Sequence, residues 1–172
     1  MRTIRKGVTT KAGKCTFSIV RSDRVTKDKF LVCKLPSGRK IYYHKPIIKK
    51  KPFVFKDRDT GKPKKVMKDQ ITYMGKMQNG RKWVRIDSHG GKFIENIVQA
   101  IARDILREGI IAAHQAGFFI IMHVHDEIVC EENERGNHTL AGLRECMIRP
   151  IKWCADMPLN AAGHEGKFYR KD

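Results

Sequence analysis

Between Gly91 and Ala116 the hydrophobic pattern has a period that only one kind of element satisfies. Phe93, Ile97, Ile101 and Ile105 recur every fourth residue, with Ile94, Val98, Ala102 and Leu106 beside them. Lys92, Glu95, Asn96, Gln99, Arg103, Asp104 and Arg107 fall on the remaining arc. The pattern predicts an amphipathic helix of about 40 Å at ~1.5 Å per residue, ended at Gly117. The next run, FFIIMHV over 118–124, is apolar without interruption and has the length of a strand. His125-Asp126-Glu127 and then Ile128-Val129-Cys130 follow it. Apolar residues at both parities predict a strand covered on both faces, and charges set between two such runs predict a tight hairpin turn. A second helix is expected over 137–148 and a short last strand over 167–170.

The preceding half reads differently. Of 36 Lys and Arg residues against 18 Asp and Glu, for a net charge of +18, most of the lysines lie in residues 1–86. A field of that sign favours polyanions, phosphate backbones first among them. FLVCKLPSGRKIYY, from Phe30 to Tyr43, reads as two strands around Pro36-Ser37-Gly38, a hairpin with glycine in its loop. ITYMGKM and KWVRI bracket Gln78-Asn79-Gly80-Arg81, and Asn-Gly is a strong short hairpin signal. Between them, KKKPFVFKDRDTGKPKKVMKD is crowded with lysine and proline and is expected to be an exposed irregular loop that orders on a polyanion. Two regions result: a basic strand-and-loop segment over 1–88, and a cored segment over 89–172.

No stretch approaches the ~18 uninterrupted apolar residues of a membrane-spanning helix, and the N-terminal residues lack the apolar run of a secretory signal. The expectation is a soluble cytoplasmic protein without a membrane partner. Cys15, Cys33, Cys130, Cys146 and Cys154 are widely spaced and form no C-x-x-C pair. They are read as small hydrophobic residues of a reducing compartment rather than as a disulfide framework or zinc site.

The chemistry of the chain concentrates at Asp126 and Glu127. Adjacent carboxylates at the turn of an apolar hairpin are costly unless a cation neutralises them. Carboxylate oxygens suit Mg²⁺, which keeps several waters and shares other ligands with substrate phosphates. A plain acidic turn on a solvated surface is the competing reading. His123 and His125 share parity, so H-x-H-D also opens the ligand set of a zinc hydrolase. No third or fourth ligand is evident for that alternative, and a packed His123 is the plainer reading.

HGGKFIENIVQAIARDIL, IIMHVHDEIVCEE and PLNAAGHEGKFYRKD, together with LPSGRKIYYHKP and ITYMGKMQNGRKWVRI, resemble the closing portion of family A DNA polymerases, most closely those of bacteriophages. The resemblance runs over nearly the whole chain. It implies an α+β fold: an antiparallel palm-type sheet with the long helix packed against the catalytic hairpin. It implies that Asp126 binds both catalytic Mg²⁺ ions, that Glu127 is its auxiliary acidic neighbour, and that His125 sits against the primer terminus. It also implies that Gln99 contacts the duplex minor groove. The family often carries asparagine four residues before that glutamine, where this chain has Glu95, so Asn96 is carried over as a DNA contact in its place. Lys92 and Arg103 are candidate phosphate contacts or, equally, solvated helix positions.

Two-metal phosphoryl transfer needs carboxylates from separate segments, holding ions about 4 Å apart, and this chain matches only one of them. Asp87-Ser88-His89-Gly90 does not match the family's other aspartate motif. Arg58, Lys62 and Tyr73-Met74-Gly75 mimic its nucleotide-binding fingers helix, but Gly61 and Pro63 break any helix there. The sequence is thus read as the C-terminal subunit of a split-gene DNA polymerase, expected to be inactive alone. It begins with Met1 and ends in a family-like tail, as a self-contained product of such a gene would. Its expected partners are primer–template DNA, dNTP and an N-terminal polymerase chain that brings the missing aspartate and fingers, in the cytoplasm of a bacterial host. The alternative is a non-catalytic DNA-binding remnant of a broken polymerase gene. In either case an open sheet edge is expected to promote self-association.

Overall fold

The computed structural model describes residues 1–22, 28–58, 60–77 and 80–169. It divides into two compact units, Met1–Ile97 and Val98–Asp172. The first is an antiparallel meander. After a short helix α1 (Arg2–Lys6) come β1 (Thr10–Ala12), β2 (Cys15–Arg21), β3 (Lys29–Lys34), β4 (Lys40–Lys56), β5 (Pro63–Lys76) and β6 (Trp83–Ser88). Each strand pairs with its sequence neighbour in a six-stranded sheet. The core lies at its centre, where Leu31, Val32, Cys33, Leu35, Tyr43 and Thr72 are buried. Tyr43 meets Tyr73 edge-on at 5.1 Å between ring centroids and Phe93 at 4.7 Å. Burial pushes the Tyr43 hydroxyl upward in pKa. It raises the Cys33 thiol further, to about 12, with a contribution from neighbouring Cys15. The cysteines are free.

The hairpin expected around Pro36-Ser37-Gly38 is present: β3 and β4 pair from Phe30↔His44 to Lys34↔Lys40. Leu35 N–H donates to the Arg39 carbonyl and Gly38 N–H to that of Leu35, at 2.8 and 2.9 Å. Gly38 has φ +89°, which requires a residue without Cβ. Strands β5 and β6 pair from Ile71↔Ser88 to Lys76↔Trp83, as the second hairpin reading requires. Residues 78 and 79 of its expected turn lie outside the described residues.

The lysine-rich segment corrects the expectation of an irregular loop. Beyond a bulge between His44 and Ile47, β4 and β5 stay paired from Ile47↔Thr72 to Lys56↔Pro63, and from Lys49↔Gln70 outward they run on as a two-stranded ribbon. Phe53, Val54, Phe55 and Val66 are good strand formers, and the prolines fall where a sheet tolerates them. Pro46 lies in the bulge, Pro63 opens β5, and Pro52 lies beyond the end of the β3 pairing, where the outer edge of β4 is open. The tip closes locally. Asp57 N–H donates to the Lys62 carbonyl and Gly61 N–H to that of Asp57, with Gly61 at φ +66°. Lys45, at φ +47°, shapes the bulge, and its carbonyl accepts from Arg85 Nη1 at 3.2 Å. That same nitrogen donates to Thr72 Oγ1 at 3.0 Å.

Helix α2 (Gly90–Gln115) realises the expected long helix. Its first two turns belong to the first unit, where Phe93 is buried. In the second unit Asp104, Leu106, Ala112 and Ala113 are buried. The apolar face is only partly covered, since Ile94 and Val98 are exposed. Past Gly117, at φ +93°, come β7 (Ile120–Val124) and β8 (Glu127–Cys130), then α3 (Leu140–Ile148). Thr139 caps α3 by accepting from Gly142 N–H at 3.2 Å. Strand β7 corrects the expectation of a doubly covered strand. Among the described residues it pairs with β8 alone, and Phe119, Ile121 and Met122 are exposed. Of the expected last strand over 167–170, residues 167–169 carry no strand, and Arg170 lies outside the described residues. The coarse expectation holds: the fold mixes α and β, with antiparallel sheets and one long helix.

Candidate functional site

Strands β7 and β8 pair at Val124↔Glu127, so His125 and Asp126 form a two-residue hairpin loop, the tight turn expected there, and Glu127 opens β8. Of the two loop residues only His125 has positive φ, at +51°. Positive φ at the first loop position suits a hairpin whose strands twist right-handedly, and glycine usually fills it. Histidine there carries backbone strain, a feature that concentrates at functional sites.

His125, Asp126 and Glu127 are exposed. No hydrogen bond or ion pair to Asp126 forms among the described residues, whereas Glu127 Oε2 accepts from Tyr169 Oη at 3.1 Å. Partial burial and that neighbouring carboxylate raise the pKa of the Tyr169 hydroxyl. Tyr169 was not singled out from sequence; its only signal is its place in the GKFYRKD tail.

The hairpin is tied to the helix beside it. His123 Nε2 accepts from Arg103 Nη2 at 3.2 Å, since a guanidinium can only donate. Arg103 is thus neither purely solvated nor free, and His123 is exposed rather than packed. Gln99 lies one turn before Arg103 on the same helix face and is exposed. Of the remaining candidates, Lys92 is exposed at the start of the helix. The Asn96 Nδ2 atom donates to Tyr43 Oη at 3.4 Å, so that amide already serves the first unit's core.

At the base of the hairpin, Glu132 receives the Phe119 N–H on one oxygen at 2.9 Å and His138 Nδ1 on the other at 2.8 Å. These bonds, the backbone one foremost, hold its carboxyl below the usual pKa. His138 in turn stacks on buried Phe118 with ring centroids 4.6 Å apart. The β7–β8 pair is therefore clamped at its base.

Among the described residues no three His, Cys, Asp or Glu side chains are gathered for a metal. A protein zinc site draws on at least three such ligands, and with His123 Nε2 engaged the zinc-hydrolase alternative gains none. Magnesium asks less of a protein: one or two carboxylates, with water and substrate phosphates completing its octahedron. The adjacent Asp126 and Glu127 fit that requirement, Asp126 through a carboxylate facing solvent at the apex of the turn.

Comparison with known proteins adds a likeness. Over 142 residues the chain is 39% identical to the DNA polymerase of Bacillus phage SP02. The resemblance to bacteriophage polymerases is borne out. The match covers 83% of this chain and 20% of that protein. A stretch of 142 among 172 residues includes residues 31–142 wherever it starts, so both α2 and the β7–β8 hairpin lie inside it. No family model matches the chain, and no solved structure matches it. Among the described residues no helix is long and apolar enough to cross a membrane.

Proposed function

We propose that this chain is the palm portion of a family A, bacteriophage-type DNA polymerase, contributing one of the two carboxylate motifs for nucleotidyl transfer to a primer 3′ end. The observation that carries the reading is the exposed acidic apex of the β7–β8 hairpin, with His125 in a strained conformation beside Asp126, inside a segment similar to a phage polymerase. Asp126 and Glu127 are the residues that would hold Mg²⁺. When bound there, the metal supplies charge stabilisation to the attacking and leaving oxygens. Tyr169 steadies Glu127 through its hydroxyl, and His125 is proposed to lie against the primer terminus. Gln99 is assigned to the minor groove, with Lys92, Asn96 and Arg103 as further DNA contacts. Asn96 and Arg103 would exchange their bonds to Tyr43 and His123 for those contacts.

Family A chemistry needs a second aspartate and a fingers helix that this sequence does not match, so the active species is proposed to include a complementing polymerase chain. Primer–template DNA, dNTP and that chain are the partners. The experiment is primer extension in Mg²⁺ by the chain alone and by a mixture with the upstream part of the similar phage polymerase. The mixture is expected to extend the primer, and Asp126→Ala to lower its rate at least about a hundredfold, since even residues behind a metal ligand cost ~10–100-fold. Extension that persists in the Asp126→Ala mixture overturns the assignment. The net charge and the basic β4–β5 ribbon favour a second reading, a non-catalytic DNA-binding chain. Salt-sensitive DNA binding indifferent to Mg²⁺, with no extension in the mixture, would support it.

A further inference from the structure

The ribbon of β4 and β5 has two faces that differ in chemistry. Between Lys45 and Asp69 the sequence has ten basic residues and three acidic ones. Cross-strand partners share a face, so the pairs Lys51↔Lys68, Phe53↔Val66 and Phe55↔Lys64, with Lys49, form one side. The Lys68 ammonium stands 5.8 Å from the Phe53 ring centroid and 5.6 Å from that of Phe55. The opposite side carries Lys50, Pro52, Val54, Lys65, Met67 and Asp69, and Asp69 is paired there with Arg5 of α1.

Phe53 and Phe55 have no core to enter. Each remains 43% exposed, because past Lys51 the ribbon consists, among the described residues, of two strands only. Lysine alone would serve a purely electrostatic polyanion contact. Two rings held two residues apart among lysines are instead the parts of a stacking platform, on which unpaired bases lie while ammonium groups follow the phosphates. Duplex bases are already stacked on each other and offer such rings nothing. The ring-and-lysine face is therefore matched to single-stranded nucleic acid.

We propose that the ring-bearing face of the β4–β5 ribbon, built from Lys49, Lys51, Phe53, Phe55, Lys64 and Lys68, is a binding site for single-stranded DNA. It belongs to the first unit and does not depend on the role assigned to Asp126. The site reads no sequence: stacking accepts any base, and Lys49, Lys64 and Lys68 supply the salt-dependent part of the affinity.

The test is fluorescence anisotropy of the intact chain with a labelled oligothymidylate of about 12 nucleotides, a length within reach of one such site, and with a duplex of equal length. The single strand is expected to bind at least about fivefold more tightly. Phe53→Leu/Phe55→Leu keeps both strand formers, removes the rings and should weaken single-strand binding about tenfold or more, with duplex binding unchanged. Lys64→Ala/Lys68→Ala should reduce the salt slope by about 1.4, at ~0.7 per phosphate contact on a single strand. Lys50→Ala/Lys65→Ala removes equal charge from the other face and should change the slope less. Circular dichroism verifies that each variant is folded. Equal affinity for duplex and single strand, indifference to loss of the rings, or equal effects of the two lysine pairs overturns the proposal. So does competition by inorganic polyphosphate equal, charge for charge, to that of the oligonucleotide. The readout is binding rather than primer extension, so the site and the catalytic reading fail separately.

Discussion

The β4–β5 ribbon and the β7–β8 hairpin are both two-stranded and both leave large apolar side chains in water, yet they differ in charge and in how they close. The ribbon is long, basic and closed by a glycine-containing turn whose hydrogen bonds are local. The hairpin is short and closed by His125 and Asp126, with a positive φ where glycine would be easier. Exposed hydrophobic surface alone therefore says little about either. What separates them is anchorage and charge: the ribbon grows from a six-stranded sheet with a buried centre, while the hairpin is clamped at its base through Glu132 and His138.

The largest expected effect tests anchorage. Leu31→Ala, in the buried part of the sheet that carries the ribbon, should destabilise the first unit by about 2–5 kcal/mol. Met122→Ala, on exposed β7, should cost less than about 1 kcal/mol. Chemical denaturation followed by amide hydrogen exchange resolves the two units, and similar costs at both positions would erase the contrast. A smaller effect separates the apices. Gly61→Ala meets no neighbour within 4 Å at its Cβ but keeps φ +66°, so it should loosen the ribbon tip by about 1 kcal/mol through strain alone. His125→Gly should cost the hairpin nothing in hydrogen-exchange protection, because relief of strain offsets the extra freedom of glycine, and should instead impair primer extension by the complemented enzyme. Loss of protection in His125→Gly would show that the histidine is there for stability.

The smallest effect is common to both units. Asp28 accepts from His44 and pairs with Lys45, Glu132 accepts from Phe119 N–H and pairs with His138, and both carboxyls are held below their ordinary values of 3.8 and 4.5. A depressed carboxyl contributes stability above its unfolded-state value and loses it as pH falls through the lower folded-state value. Acidification below about pH 4.5 should therefore weaken protection near Glu132, and further acidification below about 3.8 should weaken it near Asp28. Glu132→Gln and Asp28→Asn should flatten those acid responses, each in its own unit. An unchanged response in either variant removes that carboxyl from the account.

Much of this was legible in the chain. The four-residue period of Phe93 to Ile105 foretold α2, and Gly38 and the triplet 125–127 foretold two turns, because each signal is local. The ribbon was misread for an equally local reason: lysines and prolines look like breakers until the partner strand is known, and Asp57 to Gly61 was a turn signal hidden among them. Coverage of β7 was misjudged because an apolar run reveals affinity for a neighbour without revealing whether the chain supplies one. The bonds Asn96 to Tyr43, Arg103 to His123 and Tyr169 to Glu127 join residues 53, 20 and 42 positions apart, beyond anything that periodicity encodes.

The bulge at Lys45 and Pro46 decides the sidedness of the arm. Tyr43 and Phe53 have the same parity in the chain, so simple alternation would put the rings on the flank where Tyr43 meets Tyr73 and Phe93. One extra residue between His44 and Ile47 inverts the phase, and the rings emerge on the flank of His44 instead. Anyone redesigning the arm must count backwards from its tip, because counting outward from the core gives the mirror-image answer.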